Sequence, residues 1–152
     1  MKWFLLLPLL SVFVVAQELK IEAEFFKADE KKGVSFFRGN VYIKKQNDEL
    51  NASEVYIYTD KNHKPTKFQA QGDVSFAIET KKHEKYRGKA QKVIYIPKTK
   101  EYSFFGDVHL MQVDKQKEIK GDEVVLQTVD GKAYAKGKKS GPVIMIFDIG
   151  EE

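Results

Sequence analysis

The residues most able to do chemistry in this chain are His63, His83 and His109, since no cysteine occurs anywhere and imidazole is the side chain that titrates near neutrality. They fall in different hairpins, two of them in the lysine-rich turns "TDKNHKP" and "ETKKHEK". None has a second histidine or a carboxylate at a ligand-like spacing that repeats, so they read as surface residues; His109 lies on the polar side of its strand, opposite Val108 and Leu110. There is no Gly-x-Ser-x-Gly elbow, no paired-carboxylate motif and no phosphate-cradling glycine loop ahead of a helix. The expectation is therefore no catalytic residue, no metal ligand, no cofactor and no enzyme. Asn51-Ala52-Ser53 matches a glycosylation acceptor, a short match inside a predicted strand that reads as accidental. Tyr56 and Tyr58 share a strand face, with Tyr42, Tyr86, Tyr95 and Tyr102 scattered over other strands. They read either as aromatic platforms for sugars or bases or as strand formers packed at a rim.

What remains is apolar chemistry, and it is organised at period two. In "TKFQAQGDVSFAIE" (Thr66–Glu79), Phe68, Ala70, Gly72, Val74, Phe76 and Ile78 alternate with polar residues, the mark of a strand with one dry face. Related stretches recur as "SFFRGNVYIKK" around Gly39 and "SFFGDVHLMQ" around Gly106. The spacings of 33 and 34 residues, with a fainter echo at Gly137, indicate an internal repeat. Between them lie "LNASEVYIY", "YRGKAQKVIYI" and "IKGDEVVLQ", which align on Ala52, Ala90 and Gly121, each followed three residues later by a valine. The repeating unit is a hairpin with a small residue in each arm.

Beyond Gln17 no stretch sustains a helical stripe, and the chain is predicted to be all-β. Strands are expected at 20–27, 34–45, 50–59, 66–80, 86–96, 101–113, 118–128, 132–138 and 143–147, separated by polar turns. Gly39, Gly72 and Gly106 are read as structural glycines at inward positions, where a missing side chain creases the sheet; the alternative is that they mark bulges without shared geometry. The apolar face then consists of Phe37, Val41, Ile43, Phe68, Val74, Phe76, Ile78, Phe104, Val108 and Leu110. "PVIMIF" (Pro142–Phe147) is apolar throughout, which implies burial on both faces or an edge awaiting a partner.

The opening "MKWFLLLPLLSVFVVAQE" has one cation at Lys2, an apolar run from Trp3 to Val15 and Ala16 ahead of polar Gln17. It reads as a signal peptide, residues 1–16, followed by one domain, 17–152. An uncleaved anchor is the alternative, although the run is short of the roughly twenty residues that span a bilayer. The chain carries 26 basic and 22 acidic residues, a net charge of +4, with Arg38 and Arg87 its only arginines. The charges are interleaved, which suits a solvated outer face or a mild bias toward anionic partners, and the export signal disfavours nucleic acid.

The order "FFRGNVYIKKQNDELNASEVYIY", "FQAQGDVSFAI", "YRGKAQKVIYIPKTKEYSFFGDVHLMQ", "IKGDEVVLQ" after an export signal resembles the OstA-like (LptA) family of periplasmic lipopolysaccharide transport proteins. The most specific part is Gly88, Ala90, Tyr95, Gly106, Asp107, Val108, Gln112, Ile119, Gly121 and Asp122. The resemblance implies a single open jelly roll of antiparallel strands, open along one side and at both ends, with lipid A acyl chains in its interior. It further implies edge-strand pairing with jelly-roll domains of LptC-like and LptD-like proteins, a head-to-tail homo-oligomer, and a periplasmic location. Two alternatives stay open: an envelope adaptor that assembles by strand addition and binds no lipid, and an LptC-like anchored component. A sugar-binding module using the tyrosines is a third.

Overall fold

Residues 18–138 and 141–150 are described by the computed structural model; the signal-peptide expectation lies outside the described residues. Ten strands form one antiparallel sheet: β1 (Leu19–Glu22), β2 (Phe25–Asp29), β3 (Val34–Lys45), β4 (Asp48–Thr59), β5 (Pro65–Glu79), β6 (Lys85–Ile96), β7 (Glu101–Gln112), β8 (Lys117–Gln127), β9 (Lys132–Lys136) and β10 (Ile144–Phe147). The long strands β3 to β8 pair in chain order as a meander. Among the described residues the one helical element is a 3-10 turn, Val113–Lys115.

Each long strand is two strands in one. The pairing register breaks at the same level in every neighbouring pair, between Arg38 and Val41, Asn51 and Glu54, Gln71 and Val74, Lys89 and Lys92, and Phe105 and Val108. Gly39-Asn40, Gly72-Asp73 and Gly106-Asp107 stand there as two residues opposite one, a bulge repeated along a line. The line divides the sheet into two leaves that fold over a common core. The short strands obey the same division. β1 pairs with the half of β3 beyond the bulge and β2 with the half before it. β10 and β9 divide β8 in the same way. The single strand expected at 20–27 is therefore two strands that change leaf at Ala23-Glu24, where Glu24 N–H donates to the Gly39 carbonyl at 3.0 Å and Asn40 Nδ2 to Glu24 Oε1 at 2.7 Å.

The creasing glycines do not point inward, contrary to the sequence expectation. Their φ angles are +85°, +84° and +80°, and the residues after them, Asn40, Asp73 and Asp107, have φ of 43°, 44° and 45°. Glycine takes the first of these conformations without cost, and Asn and Asp are the side chains that best tolerate the second. A Cβ on Gly106 would lie 2.8 Å from Gln91 Cβ, and one on Gly72 2.7 Å from Ser53 Cβ, both on exposed residues of the outer surface. The inward positions step by four across the crease in the odd strands, from Ala70 to Val74 and from Phe104 to Val108. In the even strands they step by three, from Ala52 to Val55 and from Ala90 to Val93. An alternation counted straight through Gly72 hides that slip.

The glycine that does make room inside is Gly88 on β6, whose added Cβ would lie 2.8 Å from Phe76 Cζ and collide with the His109 carbonyl. Its absence lets the Phe76 ring reach the opposite leaf and stack on Phe104 with centroids 4.3 Å apart. Around that stack Val41, Val55, Val74, Val93, Leu110, Val124 and Leu126 are all but fully buried, in one core drawn from both leaves. Gly106→Val is expected to cost about 1 to 3 kcal/mol in a denaturant melt, because it adds backbone strain to overpacking. Asp107→Asn, already realised in the first repeat by Asn40, should stay within about 0.5 kcal/mol. Equal midpoints for the two variants would contradict the left-handed crease.

Candidate functional site

The space between the leaves is built from the inward positions of both strand types. Of the residues expected on this face, Val41, Val74, Phe76, Ile78, Phe104, Val108 and Leu110 are buried, and Phe37, Ile43 and Phe68 are half-buried against them. All ten are brought together. The even strands contribute an equal share that was not singled out, notably Val55, Ile57, Val93 and Leu126; the aligned small-x-x-valine pattern was the available signal. Tyr86, Tyr95 and Tyr102 also point inward and are buried, in keeping with strand formers packed at a rim and not with exposed aromatic platforms.

The interior is packed over most of its length except beside β1 and the turn between β3 and β4. There a cavity of about 50 Å³ is lined by Ile43, Leu50, Phe68, Phe76 and Ile78, with Lys45, Asp48, Tyr95 and Tyr102 at its rim. That volume holds a few waters at most, at roughly 10–15 Å³ each. The rim is tied across the two leaves. Tyr102 Oη donates to Asp48 Oδ2 at 2.8 Å, and Lys45 Nζ donates to Tyr95 Oη at 3.1 Å while lying 4.8 Å from that ring's centroid. The Tyr95 and Tyr102 rings are tilted together at 4.4 Å. These are hydrogen bonds in a partly dry place, where an unmet group is costly.

Burial raises the Asp48 carboxyl above its ordinary 3.8, against the opposing pull of the Glu79 N–H, the Tyr102 hydroxyl and Lys45. Burial likewise drives the Tyr102 phenol well above its ordinary value, reinforced by the Asp48 charge. Farther along the seam the leaves meet through polar tips. Lys81 N–H donates to the Thr128 carbonyl at 3.3 Å and Lys82 Nζ to the Asp130 carbonyl at 3.3 Å; within one leaf, Glu84 Oε2 accepts from Gln112 Nε2 at 2.7 Å and from Tyr86 Oη at 3.2 Å. Burial first, then Glu84, pushes the Tyr86 phenol up to about 12.

The histidines stay outside. His63 occupies a turn, His83 Nδ1 lies 3.0 Å from Glu79 Oε1 on the surface, and His109 Nε2 lies 3.7 Å from Glu118 Oε1 on the outer face. Among the described residues no three His, Cys, Asp or Glu side chains converge as metal ligands. No described helix is long and apolar enough to cross a membrane. Pro142–Phe147 resolves as an edge: Ile144, Met145, Ile146 and Phe147 are 46 to 58% exposed, on both faces of β10. The opposite edge exposes Phe25 and Phe26.

A raised folded-state carboxyl favours folding below its unfolded value and loses that contribution as the pH climbs through the folded one. Asp48→Asn should therefore gain stability relative to the native chain between about pH 4 and pH 7. Tyr102→Phe, which removes a donor from a half-buried carboxylate, should lose about 1 to 3 kcal/mol at neutral pH. Thermal melts across that range read both; parallel pH profiles for Asp48→Asn and the native chain would show that the carboxyl is not under strain.

The arrangement is shared with known proteins. The family described as "LptA/(LptD N-terminal domain) LPS transport protein" matches residues 20–132. Among solved structures the chain is similar to LptH of Pseudomonas aeruginosa, described as the LptA-homologous periplasmic component of the conserved lipopolysaccharide transport device. The TM-score is 0.76 at 16% identity, over 87% of this chain and 96% of that one. The search of curated proteins gave no match. The OstA-like resemblance is thus confirmed, the fold is that of LptA-like proteins, and this chain belongs to the LptA and LptD N-terminal domain family of LPS transport proteins.

Proposed function

We propose that this protein is a non-enzymatic periplasmic carrier or bridge for lipopolysaccharide, exported by a leader removed after Ala16, and that it holds lipid A acyl chains between its two leaves. The observation that carries this is an apolar interior drawn from both leaves, with a small cavity beside β1, in a chain of the LPS transport family. The lining would be Phe37, Val41, Ile43, Phe68, Val74, Phe76, Ile78, Phe104, Val108 and Leu110, with Tyr95 and Tyr102 at the mouth. A cavity of about 50 Å³ is far too small for an acyl chain, so the leaves must part. Burying a methylene is worth about 0.8 kcal/mol, which gives a twelve-carbon chain a ceiling of roughly 9 kcal/mol before ordering costs. Separating the packed rings around Phe76 consumes part of that gain, which keeps each transfer close to balanced and reversible.

The exposed β10 edge and the Phe25 and Phe26 edge supply unpaired strands for LptC-like and LptD-like jelly rolls, or for further copies of this chain. The tightness of the interior favours a second reading, an adaptor that joins envelope proteins by strand addition and binds no lipid. Photo-crosslinking in cells from Phe76 separates them, since lipopolysaccharide captured on the protein supports the carrier and its absence the adaptor. Phe76→Asp should abolish lipid binding, by placing an unpaired carboxylate on the dry face, while Ser75→Asp on the outer face should not. Phe76→Ala is the milder companion if the first variant does not fold. Intact mass of the exported protein tests the leader; retention of residues 1–16 would favour an anchored, LptC-like role.

A further inference from the structure

The seam where the leaves meet carries three lysines that form no ion pair among the described residues. Lys81, in the turn after β5, and Lys100, in the turn before β7, come from opposite leaves and are tied to the same residue. The Thr128 carbonyl accepts from Lys81 N–H at 3.3 Å, while Thr128 Oγ1 donates to the Lys100 carbonyl at 2.7 Å. Lys45, at the end of β3, stands at the rim of the apolar cavity with Tyr95 and Tyr102, and Tyr102 lies two residues after Lys100 in sequence. The ion pairs among the described residues are Lys20–Glu22, His83–Glu79, His109–Glu118 and Lys138–Asp122, so none involves these three lysines.

The acids nearby are engaged elsewhere. Asp48 is held by Tyr102 and the Glu79 N–H, Glu84 by Gln112 and Tyr86, Glu79 by His83, and Glu101 by Gln127. The remaining polar tie, Lys82 Nζ to the Asp130 carbonyl at 3.3 Å, uses a neutral acceptor. Consistent with crowding of like charges, the Lys100 ammonium is lowered, first by Lys81 beside it and lastly by Lys45.

We infer that Lys81, Lys100 and Lys45 form a phosphate-binding site at the mouth of the apolar groove, which receives the phosphomonoester of a phosphorylated glycolipid while its acyl chains enter between the leaves. The inference rests on the carrier reading above. An anion would offset the crowding of like charge where the Lys81 and Lys100 backbones meet at Thr128 beside the Lys45 rim, and lysine ammonium groups are point-charge donors that bind phosphate. The position is what gives the cluster meaning: a headgroup held here places its acyl chains at the cavity lined by Phe68 and Phe76. The same chemistry would accept inorganic phosphate species, which differ from the lipid in having no use for the groove.

The test compares bis-phosphorylated lipid A with its dephosphorylated counterpart bearing the same acyl chains, alongside inorganic pyrophosphate. The native protein should bind the phosphorylated lipid about tenfold tighter or more, and the double variant Lys81→Gln/Lys100→Gln should lose that preference while its affinity for the dephosphorylated lipid is unchanged. Lys81→Arg/Lys100→Arg should keep the preference, as should Lys44→Gln/Lys89→Gln on the outer face. Equal affinity of the native chain for the two lipids, or a preference that survives the double glutamine variant, overturns the site. Pyrophosphate binding that depends on Lys81 and Lys100 without binding of either lipid would uphold the anion site and overturn the carrier reading. Binding of neither lipid nor pyrophosphate overturns both.

Discussion

Two consecutive left-handed residues in the middle of β3, β5 and β7 are the constraint on which the rest of the molecule depends. A strand of alternating Val, Phe and Ile would otherwise extend flat and leave one wide face in water. By inserting one extra residue at the same level in every second strand, Gly39-Asn40, Gly72-Asp73 and Gly106-Asp107 turn that face onto itself. The cost is confined to positions where glycine pays little steric penalty and Asn or Asp tolerates what remains. Everything buried, including the Phe76–Phe104 stack, follows from the two leaves meeting.

Once the leaves meet, their tips must be closed, and polar groups do this because backbone and turn residues there cannot be left dry and unpaired. Between the turns after β5 and after β8 the closure is made by Lys81 to Thr128 and Lys82 to Asp130, and next to these by Tyr102–Asp48 and Lys45–Tyr95 over a small cavity. Beside the cavity burial raises the Asp48 carboxyl, and its hydrogen bonds and Lys45 offset this only in part.

A folded open sheet, unlike a barrel, keeps two free edges. Here the edges are apolar as well as unpaired, with Phe147 and Ile146 at one and Phe26 at the other. Exposed edges of this kind are usually blunted by charge, proline or a covering segment, and β10, preceded by Pro142 but otherwise bare, has little of that protection. Its composition makes sense for a strand that pairs outward, which links the crease to assembly as well as to the interior.

The period-two alternation and its recurrence at 33 and 34 residues determined, without any structure, that the chain is all-β and built of repeated hairpins, and which ten side chains of β3, β5 and β7 share its dry face. These are local properties, fixed by the pleat and by β-branched and aromatic composition. The direction in which the repeated glycines face was not legible, because a straight count through Gly72 assumes a regular pleat and the bulge breaks it, although the three-residue steps Ala52 to Val55 and Ala90 to Val93 recorded the slip. The division of 19–29 into two strands was equally hidden, since Ala23-Glu24 carries no turn signal and changes leaf only because the crease passes there. The roles of Lys45, Asp48, Tyr95 and Tyr102 were decided by tertiary structure alone. Their partners lie 50 and 54 residues away on the other leaf, and no local pattern encodes a hydrogen bond that exists only after a sheet has folded back on itself.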